Sequence, residues 1–428
     1  MNAMLSRCAN PGWLVGCFIV LLSMSLARPV IAAPDPIRLG FLYPSSGPYK
    51  EMGIAEARAA LMAVDEINAS GGILGRPVEL LIRNSASKPA KARAAVEYFA
   101  REKVAMVFGG ISSAVAIAAG KEAAKHRLLF FSAHSYANGT TGVHGHRHIF
   151  RESYNAWMSS KALSMHINQS LAGKRVFYAS ADYAWGHSTE ASMRVFTRTE
   201  DTSQHPGTKI PFPRPSYRDI QAAMEAAENS GADVLILTQA GDDLATAMQI
   251  AHTMGLKSKM TIVVPGLTLD TVRVTGVGLL QGVVSTVPWC WKIPYQYGYQ
   301  PGIDFVEGFV ERYEGYPSSS AASTYSILYQ FRDAVERTKS LSTERLISAF
   351  EGHHYTGLKG PQSWRTFDHQ NIQDVFVVRV KDRNQALQDR FNEDFFEILL
   401  NVPGQFAARS QEEWQNTRLL AGKPPQLQ

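Results

Sequence analysis

Ile54, Ala57, Leu61, Val64 and Ile67 recur at steps of three and four, the mark of a helix with one apolar face. A few residues later the period changes. Val78, Leu80 and Ile82 alternate with Glu79 and Arg83, which predicts a strand. The same change of period repeats down the chain. Strands are predicted at "IRLGFLY", "VAMVFGG", "LLFFSA", "RVFYASA", "DVLILTQ" and "TIVVPG". Helices are predicted over 52–68, 89–102, 113–125, 155–171, from about 187, over 217–229 and over 242–254. Strands that alternate with helices imply parallel sheets covered on both faces. "DVLILT" is apolar without interruption, as a strand buried on both faces should be. The expected class is therefore α/β, with two doubly wound parallel sheets and a junction near 151–155. Beyond about 383 the chain is charged and polar and ends "GKPPQLQ", so this tail is expected to be loosely held.

The glycine cluster at Gly71, Gly72 and Gly75 raises the question of a nucleotide site. A phosphate loop follows a strand and opens a helix, because helix N-terminal N–H groups hold the anion. Here the order is reversed. The glycines follow a helix and precede a strand, where they end the helix in the φ > 0 region and present carbonyls.

Composition narrows the class. Arg7 precedes the uncharged apolar run "WLVGCFIVLLSMSLA", and "RPVIAAP" follows, the layout of a secretory signal peptide over 1–32 with cleavage after Ala32. The run is shorter than the roughly 20 residues that span a bilayer, so no stable membrane insertion is expected after cleavage. At roughly 150 residues per domain, the 428 − 32 = 396 residues left after cleavage suggest two. Cys8 and Cys17 leave with the signal, and Cys290 alone forms no internal disulfide; it is expected to be a packed or partly exposed small residue. A formal charge of +5 with 19% charged residues argues for neither nucleic acid nor a membrane surface as partner.

Ligands of doubly wound sheets sit at the carboxyl ends of strands. Six loops follow strands here: "FLYPSSGPYKEMG", "FGGISSAVA", "FFSAHSYANGTTG", "ASADYAWGHS", "LTQAGDD" and "VVPGLTLD". In the second, Gly109 and Gly110 precede Ser112 and Ser113 at the start of an alanine-rich helix. Hydroxyls and free N–H groups there suit a small carboxylate, or one serine caps its own helix. Small polar residues and aromatics such as Tyr183 and Trp185 at successive strand ends suggest a cleft between domains. His144, His146 and His148 alternate, which in a strand would aim three rings to one face as in a zinc site. No carboxylate or cysteine joins them, and the segment reads as a solvated surface loop, so no metal or other cofactor is expected. Neither G-x-S-x-G nor H-E-x-x-H occurs, and His187 reads as the opening of a helix.

"AVDEINASGGILGRPVELLIRNSASKPAKA", "GGISSAVA", "FFSAHSYA", "IFRESYN" and "DYAWGHS" stand in one order, and in that order the chain resembles the solute-binding proteins of branched-chain amino acid ABC transporters, the leucine/isoleucine/valine-binding family. The likeness runs from about Ile37 to Val380. It implies a type I periplasmic binding protein, two lobes joined by a three-crossing hinge that close on a ligand for delivery to an ABC permease, with no covalent chemistry. By analogy one lobe takes 36–153 and 284–340, the other 154–283 and 341–383, leaving 384–428 as the tail. The resemblance assigns ligand contacts to Met52, Ser112, Ser113, His134, Ser135, Tyr136, Trp185, Gln239, Ala240 and the stretch from Gly266 to Thr268. This chain departs from the family where it carries His134 and Tyr136 in place of a small residue and a threonine, and Trp185 in place of tyrosine. "VVPGLTLD" offers no acid for an α-ammonium except Asp270 nearby. A buried ammonium without a counter-charge is costly. An aromatic or other organic carboxylate, or a small amide, therefore competes with an amino acid as ligand. A sensor of the same fold, and an exported hydrolase using Ser112 or Ser113 with His134, are the alternatives.

Overall fold

The computed structural model describes residues 34–428, so the predicted signal peptide lies outside the described residues. Two parallel-based sheets organise the rest. The first has the order β2-β1-β3-β4-β5, built from β1 (Ile37–Tyr43), β2 (Val78–Asn84), β3 (Met106–Gly109), β4 (Phe130–Ser132) and β5 (Ile149–Arg151). All four of its pairings are parallel. The second uses β6 (Val176–Ala181), β7 (Gly207–Ile210), β8 (Val234–Thr238), β9 (Thr261–Val263) and β10 (Val284–Val287). A small antiparallel sheet follows, β11 (His354–Gly357), β12 (Gly360–Trp364) and β13 (Asn371–Ile372). Then β14 (Val375–Val380) and β15 (Phe396–Val402) return to the second sheet, whose order is β15-β14-β10-β9-β8-β6-β7. Its last two strands are antiparallel additions.

The buried faces follow from the apolar spacing. Helix Lys50–Ala69 buries Ala60, Ala63, Val64 and Ile67 against Phe41, Phe108, Phe131 and Phe331. Strand β8, "VLILT", is buried at all five positions, as its uninterrupted apolar run required. Gly109 and Gly110 have φ of +116° and +83°, and a Cβ on Gly109 would stand 2.1 Å from the Leu42 carbonyl oxygen. Only glycine lets β3 pass β1 this closely and turn at once into a helix.

Four expectations need correction. Strand β10 lies between β9 and β14, so 284–287 belongs with the second sheet. The segment 341–372 packs with the first: Leu346, Ile347, Phe350 and Trp364 lie in the core that contains Phe131 and Phe150. The helix expected from about 187 spans Ala184–Thr197. His187 sits in its first turn, paired with Asp182 at 2.7 Å on the surface.

The largest correction is the tail, which is docked. β15 extends the second sheet, and helix Gln411–Leu420 then lies on the 137–148 loop beside the first. Trp414 Nε1 donates to the Thr141 carbonyl at 2.9 Å, and Arg418 Nη1 to the Gly142 and Gly145 carbonyls at 2.5 and 3.0 Å. The chain thus connects the two sheets a fourth time. Few tail residues are buried, and one of them is the cation Arg418, stabilised by carbonyls that belong to distant sequence.

Candidate functional site

Each strand of the central core ends in a loop, and both sheets aim those ends at one cavity. Its wall is made of Tyr49 and Met52 after β1, Ile111 and Ser113 after β3, His134 and Tyr136 after β4, Tyr183 and Trp185 after β6, Ala240 after β8, and Gly266 and Thr268 after β9. Eight of the twelve residues expected to touch ligand therefore meet here: Met52, Ser113, His134, Tyr136, Trp185, Ala240, Gly266 and Thr268. The other four lie behind the wall, Leu267 fully buried among them. Ser112 is buried with no partner for its hydroxyl among the described residues, Ser135 bonds Thr140 at 2.7 Å, and the amide nitrogen of Gln239 is buried and unpartnered. Ile111 escaped the sequence reading because a lone aliphatic after two glycines carries no chemical signal.

The cavity is narrow, about 30 Å³, close to the room one or two water molecules need. Rings from the two halves meet across it. Tyr49 and Tyr183 share a hydrogen bond of 2.6 Å, and Phe212 stacks on Tyr183 with centroids 3.9 Å apart. Pockets for organic ligands run to about 300 Å³ and more, so such a ligand enters only when these rings move apart. Gly266, at φ +86°, keeps the floor open: a Cβ there would stand 3.3 Å from the Tyr154 hydroxyl.

Among the described residues no Asp, Glu, Lys or Arg side chain lines the wall. Tyr136 Oη lies 2.5 Å from His134 Nε2, and the pair is buried. Burial first, and the Lys359 ammonium second, push the His134 imidazole down to about 3, so it is neutral at physiological pH. Burial holds the Tyr136 phenol well above its ordinary range. Lys359 itself is committed to Glu152 at 2.7 Å and to Ser323 and Gln373. Asp270, the acid considered for an ammonium, is outside the wall and accepts from Arg273 at 3.2 Å and from Ser320 at 3.3 Å.

Neither serine caps the helix Ser113–Lys125. The Ser113 hydroxyl accepts the Ala137 N–H at 3.0 Å, which ties the β3 loop to the β4 loop. Among the described residues neither Ser112 nor Ser113 hydrogen-bonds His134: Ser113 faces Ala137 and His134 faces Tyr136. Arg151, fully buried, holds the β4 loop from behind. It donates to the carbonyls of Ser135 (3.4 Å) and Ala137 (2.5 Å), to Thr141 Oγ1 (2.9 Å) and to Gln370 (2.7 Å).

The triple histidine segment is not the solvated loop expected. It lies partly beneath the docked tail, and burial lowers His144, His146 and His148 alike, His146 to about 4. Among the described residues no three metal-ligating side chains converge. Cys290 is buried, which pushes its thiol up to about 11 and leaves it inert.

Two sheets whose strand ends enclose one cavity at a multiple crossing define the two-lobed binding-protein class. The profile of the periplasmic binding protein family matches residues 36–385, and the chain belongs to that family. The Leu/Ile/Val-binding protein homolog 4 of Brucella melitensis is 24% identical over 388 residues, 86% of this chain and 89% of that protein. A periplasmic binding protein from Burkholderia mallei superposes with a TM-score of 0.80 at 21% identity, covering 89% of this chain and 98% of that one. A solute-binding protein of an ABC transporter from Rhodopseudomonas palustris, solved with 3,4-dihydroxybenzoic acid, superposes at 0.73 with 17% identity, covering 86% and 98%. The chain is thus a solute-binding receptor by family, as its sequence motifs implied. Among the described residues no helix is long and apolar enough to cross a membrane.

Proposed function

We propose that this receptor works in the periplasm, captures a small organic carboxylate with a flat apolar body, and presents it to an ABC permease. One observation carries the ligand class: the wall is mostly aromatic and aliphatic, its polar side chains Ser113, His134 and Thr268 are neutral, and among the described residues it holds no ionised side chain. An amino acid would bury an ammonium with no counter-charge, which costs several kcal/mol. A carboxylate needs only neutral donors. The Ser113 hydroxyl proton, the N–H groups at the start of helix Ser113–Lys125 and the Tyr136–His134 pair supply them from one side. Tyr183 and Trp185 offer ring faces from the other. The Rhodopseudomonas relative, with its dihydroxybenzoate, supports the class.

A branched-chain amino acid is the second reading, favoured by the name of the Brucella relative and by Asp270, two residues beyond Thr268. Thermal unfolding of the mature protein, refolded to strip carried ligand, separates the two. The panel is hydroxybenzoates, aliphatic amino acids, urea and short amides. Ligand at a hundredfold excess over Kd stabilises the folded state by about 2.7 kcal/mol. Stabilisation by leucine or valine, and none by any aromatic acid, would refute the carboxylate reading.

A further inference from the structure

Glu56 is the most anomalous group outside the cavity. It is 0% exposed, and neither carboxyl oxygen has a hydrogen-bond partner among the described residues. It lies on helix Lys50–Ala69, which follows β1 of the first sheet. The charge that acts on it is Asp270, 3% exposed, on helix Leu269–Thr275, which packs on helix Lys50–Ala69 and follows β9 of the second. The contact between these two helices is thus a contact between the two halves. The same seam is fastened by Ser320, whose hydroxyl lies 3.3 Å from Asp270 Oδ2 and 3.2 Å from the Met52 carbonyl.

We propose that Glu56 and Asp270, brought together from opposite halves, make closure of the receptor take up one proton, and that the proton resides on Glu56. Burial raises the Asp270 carboxyl, but Arg273 at 3.2 Å and Ser320 pull it back down, whereas Glu56 has no such partner among the described residues. Among the described residues no cation pairs with Glu56, and the Arg273 guanidinium is taken by Glu393, at 2.6 Å from each of two nitrogens, and by the Tyr316 carbonyl at 2.9 Å. Helix Ser319–Thr338 packs along helix Lys50–Ala69 and buries the Ser319 and Thr324 hydroxyls with no partner among the described residues, and its tyrosines Tyr325 and Tyr329 are engaged with Glu66. Helix Gln300–Tyr313 directs Tyr313 to the Arg58 carbonyl. Burial first, and the charge of Asp270 second, therefore disfavour an anion on Glu56. When the halves part, Asp270 withdraws, water reaches Glu56, and the carboxyl ionises at neutral pH. Closed protein then binds one proton more than open protein. Closure weakens as pH rises from the ordinary carboxylate range toward the closed-state value, by up to tenfold per pH unit.

This inference rests on the reading that the two halves separate, and its test keeps the two apart. Small-angle scattering of the ligand-free mature protein is recorded from pH 5 to 8.5 for wild type and Glu56→Gln, and the radius of gyration is converted to a closure constant. The expected result is a closure constant that falls up to tenfold per pH unit in wild type and is flat in the variant. Opening that occurs but follows the same pH course in both proteins overturns the proton coupling alone. A radius that never changes overturns the coupling together with the two-lobed trap. Infrared difference spectra of wild type supply a readout that needs no variant. A carbonyl band of a protonated, unbonded carboxylic acid at pH 7 in the compact form is expected. Its absence would mean an ionised Glu56 and would overturn the assignment.

Discussion

Lowering the pH should expose the state of His134. Its imidazole is buried beside Tyr136 and is held neutral down to about 3, whereas in the unfolded chain it titrates at 6.5. As pH falls through that window the unfolded chain takes up a proton that the folded chain refuses, so stability is lost from about 6.5 downward. At pH 4.5 the gap from the unfolded value is two units, and each unit is worth about 1.36 kcal/mol, so His134 alone should remove roughly 2.5 kcal/mol relative to pH 7. Other buried groups titrate over the same range, and a variant isolates the term. His134→Gln keeps a polar partner for the Tyr136 hydroxyl and cannot take the proton. Urea unfolding at pH 7 and 4.5 should therefore show wild type losing about 2.5 kcal/mol more than His134→Gln. Equal losses would mean that His134 is solvated or charged in the folded protein. The uncharged wall, and with it the argument against an ammonium ligand, would then fail.

Two further outcomes follow from single hydrogen-bond sets. Ser113→Ala removes the acceptor for the Ala137 N–H and should cost about 1–3 kcal/mol of stability; with ligand in hand, calorimetry should show affinity falling a further tenfold or more, since a bond to a charged group is worth about 1.5–3 kcal/mol. Lost stability with unchanged affinity would leave Ser113 a strut between loops. Arg418→Met strands the Gly142 and Gly145 carbonyls, and a drop of about 3 kcal/mol is expected in urea unfolding; an unchanged midpoint would show that the tail does not hold the 137–148 loop in solution.

The alternation of apolar periods was enough to place most strands and helices, because burial on two faces of a parallel strand writes an unbroken apolar run and burial on one face of a helix writes a step of three and four. It was enough as well to point at the strand ends, since a doubly wound sheet leaves its free backbone groups and side chains there. Direction along the chain disposed of the phosphate loop at Gly71 to Gly75. Family resemblance, carried by motifs in series, then supplied the class of receptor.

What the sequence withheld depends on partners far away in the chain. The tail looked free because β15 is half exposed and the helix Gln411–Leu420 is polar; it is held by an antiparallel pairing with β14 and by carbonyls of the 137–148 loop. Strand β10 and the segment 341–372 changed sides for the same reason: apolar residues specify that they are buried but not against which of two cores. His134 and Tyr136 were legible as polar loop residues. Only the fold made them one neutral unit, because desolvation and the nearby Lys359 are properties of assembled surroundings. Glu56 is the extreme case. In sequence it is one more charge on an amphipathic helix; its burial and its meeting with Asp270 come from the packing of one sheet's helices against the other's, which no local pattern encodes.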